Sequence, residues 1–420
     1  MGDVRQWLVT ISTRPAALWA VFLVVHLWLA YVGLTNPTLP WGDVTLQYRP
    51  WVERALGGDV VGVSEPWVYP LVALVPMIAA MVLGPELYGV GWFLVVLVTN
   101  AVVLAFLLAR SGPGARLAPL KVTAAWWWLA FLLLLGPIAL GRIDATTVAI
   151  AIIALLIAAK RPLVAGVLLA VATWIKVWPA VLIAVVVTVV RQRVKALVGF
   201  VASAVALGVL VLIAGSGANT FGFVSQQSSR GLQIEAPVST PWMWLSLLDP
   251  SSSSVAYIRS INTFQVSGPG TELASAVMTP LLVIVSAAVL VLGALVVKSG
   301  ARPARVLAPL SLAIVVGLLL FNKVGSPQFV LWLAAPVVLG VATSGRHFRV
   351  PALLVLGTAA LTQIIYPFGY DALLASEPAM LLVLTVRNVL LAVIFVVAVL
   401  GLLRLRHGRV LFHPRERQKS

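Results

Sequence analysis

The sequence predicts an all-α integral membrane protein of about 12 transmembrane helices, with interfacial and re-entrant helices in its first outer loop. Two observations carry this prediction. The 420 residues are 61% hydrophobic and 10% charged, with a mean hydropathy of +1.05, which is more apolar surface than a water-soluble chain can bury. The charges are also sorted. Most of the 29 Lys and Arg fall in alternate gaps between apolar runs, whereas of the 13 acids only Asp3 and Glu416 do. That asymmetry is the positive-inside pattern. It explains the net charge of +16 as membrane topology and excludes a nucleic-acid footprint. With no Cys in the chain, disulfides and thiolate metal sites are excluded as well.

Apolar runs near span length lie at about 15–35, 89–109, 120–140, 144–159, 196–214, 273–297, 305–321, 328–343, 350–366 and 378–403. The first, Ala16–Gly33, reads as a retained span and not as a cleaved signal peptide. The run 163–190 lies between the basic clusters "KRP" (160–162) and "RQRVK" (191–195). It must therefore cross and return, turning at "WIKVWP" (174–179), where Pro179 favours a break. The segment 70–84 carries Pro70 and Pro76 and is short for a span, so it reads as re-entrant or interfacial. The result is a single polytopic domain, 1–420, with both termini cytoplasmic. Two larger outer loops stand at 36–84 and 215–272.

The first outer loop contains "WGDVTLQYRPWVERALGGDV" (41–60). Tyr48, Trp51, Val52, Ala55 and Leu56 repeat at helical spacing, Pro50 suits a first turn, and Gly57-Gly58 ends the helix. Such a helix is expected to lie flat with its aromatic side among the headgroups. It would hold Asp43 at the membrane surface, as either a catalytic or a merely solvated carboxylate.

The topology gathers the unusual polar residues on the outer side. Besides Asp43 they are Arg142 and Asp144 in "LGRIDATT", Lys176, then Arg230, Gln233 and Glu235 in "SRGLQIE", and Lys323 and Gln328 in "NKVGSPQ". Charges at the hydrocarbon edge are functional candidates by default. Lys176, Arg230 and Lys323 are natural phosphate partners, with snorkelling as the plain alternative for either lysine. A phosphate held at the lipid boundary describes a polyprenyl phosphate. Gln233, Gln328, Tyr69, Arg142, Asp144 and Glu235 are the candidates for contacting a sugar or acceptor, with Glu235 also placed to pair with Arg230. The sequence has no Walker loop, Rossmann glycine pattern, zinc-protease helix or nucleophile elbow. No cofactor or metal is called for.

These pieces resemble the GT-C membrane glycosyltransferases, and within them glycosyltransferase family 87, which includes actinobacterial polyprenol-phosphate-mannose-dependent α-mannosyltransferases. The resemblance rests on Asp43 after the first span and on Tyr48, Leu56–Gly58, Tyr69 and Pro70. It extends through "LGRIDATTVAIAIIALLIAAKRPLVAGVLLAVATWIKVWP", "SRGLQIE" and "NKVGSPQFVLWLAAP", in that order. It departs where Leu71 replaces the second proline of the family's "YPP", and where "IDATT" follows "GR". The resemblance implies a GT-C fold in a plasma membrane. It also implies a polyprenyl-phosphate sugar donor, a lipid-linked glycan acceptor on the outer face, and Asp43 as the general base of an inverting transfer. A different sugar, such as arabinofuranose or glucose, stays open. So does a non-enzymatic transporter or flippase of a lipid-linked sugar, which would need the same cations but has no use for Asp43.

Overall fold

The computed structural model describes residues 14–110, 117–224 and 230–407, and these are mostly helical. The acids Asp3 and Glu416, and residues 111–116 of the basic segment "RSGPGARLAPLK" (110–121), lie outside the described residues. Among those described, seven helical stretches are long and apolar enough to cross a membrane. They are α1 (Pro15–Thr35), α3 (Tyr88–Leu108), α8 (Arg193–Ile213), α9 (Thr271–Lys298), α10 (Pro303–Leu320), the unit Pro327–Phe368 and the last helix, α13 (Pro378–His407). The unit Pro327–Phe368 reverses at Gly345 (φ 52°) between α11 (Ala334–Ser344) and α12 (Arg349–Gln363).

About twelve transmembrane helices were expected, and in the middle of the chain the corresponding helices are shorter than a full crossing. There α4 (Pro119–Leu135), α5 (Asp144–Ile157), α6 (Pro162–Ile175) and α7 (Ala180–Val189) are shorter apolar helices. A helix of 14 residues is roughly 21 Å long, less than the ~30 Å hydrocarbon core. The side chains of α5 are almost all buried, so this helix faces protein on every side.

The hairpin expected at 163–190 is present. α6 ends at Ile175, Lys176 is extended, and α7 begins at Ala180 after Pro179. α6 and α8 touch backbone to backbone: a Cβ on Gly166 would overlap the Ala196 carbonyl, and one on Gly199 the Leu163 carbonyl. Without a hydrophobic drive between helices in lipid, small residues permit this close packing.

The apolar segment Leu71–Leu83 folds against α3. Tyr88 donates its hydroxyl to the Met77 carbonyl at 3.0 Å, and Gly91 admits the Ala80 carbonyl where a Cβ would collide. Tyr69 just before the segment and Trp92 just after it both lie near Tyr48. The segment thus starts and finishes at the same end of the bundle.

The amphipathic stretch differs from its expectation. A π-helical turn, Asp43–Tyr48, runs directly into α2 (Arg49–Leu56), so Asp43 belongs to the helix. Tyr48 and Val52 are fully buried. The aromatic face packs on protein in a cluster of Tyr48, Trp51, Trp67, Tyr69 and Trp92, while Leu46 and Leu56 stay exposed. The loop had more aromatic partners on this chain than the periodicity of one helix could reveal.

The fold is also not wholly helical. Within 215–272, strands β1 (Ser254–Ile258) and β2 (Thr263–Ser267) pair antiparallel, Ser254 opposite Ser267, around a turn in which Asn262 takes a left-handed conformation (φ 46°). The alternation of "SVAYI" and "TFQVS" with β-branched and aromatic residues favours this pairing.

Candidate active site

One tryptophan fixes the start of the site. Trp41 is wedged between Gly33 of α1 and Gly141, where a Cβ on either glycine would strike the indole ring. Its Nε1 donates to the Pro137 carbonyl at 2.8 Å. The wedge joins residues 40–48 to the turn preceding α5. Two further bonds complete the seam: Arg142 Nη1 donates to the Pro40 carbonyl at 3.0 Å, and the Ile143 amide donates to the Tyr48 hydroxyl at 3.2 Å. Asp43 and Arg142, ninety-nine positions apart in sequence, are brought together by this seam.

Their contact is an ion pair, with Asp43 Oδ2 2.9 Å from Arg142 Nε; its angle falls short of an aligned hydrogen bond. The two partners differ in access: the Arg142 side chain is 7% exposed and that of Asp43 39%. Arg142 is held further by Tyr366, whose hydroxyl accepts from Nη2 at 3.1 Å. Tyr366 gets there because the backbone breaks from helix at that residue (φ −125°, ψ 123°). The guanidinium is thus a buried anchor, and the carboxylate is the reachable group.

Asp43 opens into a cavity of about 420 Å³. Charged and amide groups on its wall include Arg142, Arg230, Gln233 and Gln328, and aromatic faces include Trp51, Tyr69 and Tyr370. The β1–β2 hairpin closes one side with Tyr257, Asn262 and Phe264. Gln233 ties two walls together, accepting through Oε1 from the Gly325 amide (3.0 Å) and the Ser326 hydroxyl (3.1 Å). Arg230 Nε is buried with no hydrogen-bond partner among the described residues. Burial pushes the Arg230 pKa below its ordinary value, opposed by the nearby Tyr69. Burial also raises the Tyr69 phenol, helped by the negative charges of Asp43 and Asp144, so Tyr69 stays a neutral donor.

Three sequence expectations need correction. Asp144, expected to contact a sugar, is fully buried, and both its oxygens are occupied: Lys176 Nζ lies 2.6 Å from Oδ2, and Trp332 Nε1 donates to Oδ1 at 2.6 Å. Lys176, expected on a donor phosphate, is therefore neutralised by Asp144. It is also surrounded by the rings of Tyr69, Phe329 and Trp332 at 5.3–6.0 Å, and neither residue lines the cavity. The third correction concerns Glu235, which is fully buried and faces Arg387 of α13, Oε2 to Nη2 at 3.6 Å, instead of Arg230 or a sugar. Lys323 lies outside the cavity wall, with its carbonyl accepting from the Gln233 amide at 3.0 Å. Asp43, Arg142, Arg230, Gln233, Gln328 and Tyr69 are the expected residues that share the cavity.

Arg387 was missing from the sequence expectation, although a lone arginine inside the apolar run 378–403 was a visible signal. It also donates to the Glu235 carbonyl at 2.8 Å, tethering the long loop to α13. Burial raises the Glu235 pKa from its ordinary value to about 7, against the opposing pull of Arg387. A carboxyl with a raised pKa in the fold contributes stability that is present below its unfolded pKa and is lost as pH rises through about 7. The thermal midpoint of the wild type should therefore fall more between pH 5 and pH 7.5 than that of Glu235→Gln. Parallel profiles for the two proteins would contradict this assignment.

The site is a polar cavity at one end of a helical bundle whose long helices are apolar enough to cross a membrane. The profile of glycosyltransferase family 87 matches residues 67–320, more than half of the chain, and the chain belongs to that family. The membership agrees with the GT-C assignment expected from the sequence and makes the protein a membrane-embedded glycosyltransferase. No curated protein matches the chain. Asp43, Lys323 and Gln328 lie outside the matched stretch, so their roles rest on geometry and on the sequence resemblance.

Proposed function

We propose that the enzyme transfers mannose from a polyprenyl-phosphate donor to a lipid-linked glycan at the outer face of an actinobacterial-type plasma membrane. Asp43 is the general base and the anomeric configuration inverts. Both termini are cytoplasmic in this orientation. The observation that carries the reading is the pairing of an accessible carboxylate, Asp43, with a buried anchor, Arg142, at the mouth of a cavity that also holds Arg230. Arg142 holds Oδ2 and leaves Oδ1 for the acceptor. The acceptor hydroxyl oxygen forms a bond to the anomeric carbon, its proton passes to Asp43, and the bond from that carbon to the phosphate oxygen breaks. An alcohol is much less acidic than a carboxylic acid, so proton transfer and attack proceed together. Charge gathers on the departing phosphate, where Arg230, with its Nε unpartnered, stabilises it without first breaking a hydrogen bond. The amide edges of Gln233 and Gln328 suit sugar hydroxyls, and the flat rings of Trp51 and Tyr370 suit the apolar face of a pyranose.

The direct test uses the full chain in nanodiscs with envelope lipid acceptors and short-chain polyprenyl phosphates carrying mannose, glucose or arabinofuranose. Release of polyprenyl phosphate from the mannose donor is the expected result. Release only from another donor would correct the sugar. Movement of intact donor across a vesicle membrane, with no release, would establish the carrier reading.

Arg142 is on this account a positioning residue. Arg142→Lys keeps the charge but loses the fork that spans Asp43, the Pro40 carbonyl and Tyr366. Turnover should fall by about 100-fold, the cost of a carboxylate displaced by about 1 Å, with KM for the donor nearly unchanged. A rise in KM with kcat intact would instead place Arg142 on the donor.

A further inference from the structure

A second cavity, of about 680 Å³ and larger than the first, opens at the opposite end of the bundle. It is cut between α10, α12 and α13. Its rim holds Arg305 in the first turn of α10, His347 just before α12, and Arg404 near the end of α13. All three are exposed, and none takes part in an ion pair among the described residues. No carboxylate neighbours them in sequence on any of the three elements. Below the rim the wall is apolar, with Pro309, Leu312, Phe348 and Ala398. The lining residues Val350 and Leu400 remain 57% and 44% exposed on the hull, so the cavity communicates with the hydrocarbon.

We propose that this cavity binds an anionic membrane phospholipid, its phosphate among Arg305, His347 and Arg404 and an acyl chain along the apolar wall. The chemistry requires both parts. Cations without nearby acids attract a phosphate, and guanidinium groups can meet it with two parallel hydrogen bonds. A small soluble anion would leave the apolar wall uncovered, and a neutral lipid would leave the cations unmatched. Basic pockets between membrane helices select headgroups in this way. The residues after His407 add Arg409, Arg415, Arg417 and Lys419 against Glu416 alone, so the chain's own continuation carries the wrong charge for the rim. The proposal does not depend on which sugar or acceptor the enzyme uses.

The experiment titrates the full-length protein in detergent, read by native mass spectrometry, with phosphatidylglycerol, phosphatidylcholine, a polyprenyl monophosphate and inorganic phosphate. Phosphatidylglycerol should bind, while phosphatidylcholine and inorganic phosphate stay at background. In Arg305→Ala/Arg404→Ala its affinity should drop about 25-fold, at about fivefold for each cation near a lipid phosphate. Arg193→Ala/Lys195→Ala, which removes two exposed cations from the start of α8, should bind as the wild type does. If the first pair fails to fold, Arg305→Gln/Arg404→Gln gives the same reading with side-chain length conserved. Equal affinity in wild type and rim variant, or equal binding of phosphatidylglycerol and phosphatidylcholine, would overturn the proposal. Binding of the polyprenyl monophosphate in place of phosphatidylglycerol would overturn the choice of lipid.

Discussion

Asp43→Asn should lower turnover by about 10²–10⁴-fold, the usual contribution of a positioned general base, while leaving donor affinity within a few-fold of wild type. The asparagine is isosteric, and its Oδ1 can still face Arg142, so the seam made by Trp41, Arg142 and Tyr48 stays closed. Only the capacity to take a proton is lost. On the proposed function, donor binding is set by other groups, Arg230 and the cavity wall. Separate measurement of donor affinity and single-turnover rate in the two proteins tests this. A loss confined to affinity would make Asp43 a substrate ligand and would move the base elsewhere.

The second large effect is on stability. Lys176→Met should destabilise the fold by about 3–5 kcal/mol, because it leaves the Asp144 carboxylate buried without its counter-charge. Trp332 would still donate to Oδ1, but one neutral donor cannot replace a cation 2.6 Å away. The double variant Asp144→Asn/Lys176→Met removes both charges and keeps an acceptor for Trp332. It should recover most of the loss, a coupling that a double-mutant cycle reads directly. The same pair separates structure from ligand binding. If the double variant folds and binds donor normally, Lys176 supports the cavity wall through Asp144. If it folds but loses donor affinity tenfold or more, Lys176 reaches the phosphate after all.

That pair also shows where sequence reasoning stopped. Hydropathy and charge sorting put Asp43, Arg142, Asp144, Lys176, Arg230 and Glu235 on one side of the membrane, and the structure gathers all of them near one end of the bundle. Sidedness is a one-dimensional property that the order of apolar runs encodes. Depth is not. Whether Asp144 reaches the cavity or turns inward depends on α5 being enclosed by other helices, and that follows from contacts between runs far apart in the chain. Lys176 and Asp144 are 32 residues apart, and Glu235 and Arg387 are 152 apart.

The helical elements were legible because each long run announces itself. α1, α3, α10 and α13 begin and end within a few residues of the expected positions. The short helices α5 to α7 were legible as apolar runs and, at 163–190, as a hairpin of two short halves, but composition alone does not show that protein surrounds α5. The aromatic face of α2 was legible as a face, but the protein partners it packs on were not, for the same reason. Tyr366 and the β1–β2 hairpin left weaker signals: a Pro-Gly break in "IIYPFGY" at the end of the run 350–366, and two short alternating stretches in a loop.

The measurement that tests the central claim most directly is the anomeric configuration of the product. The full-length enzyme is given a β-linked polyprenyl-phosphomannose and a lipid-linked acceptor, and the new linkage is read by nuclear magnetic resonance. A single displacement driven by Asp43 as base predicts an α-linked mannose. A β-linked product would require a covalent sugar–enzyme intermediate and a nucleophile, and would contradict the role given to Asp43 and the mechanism built on it.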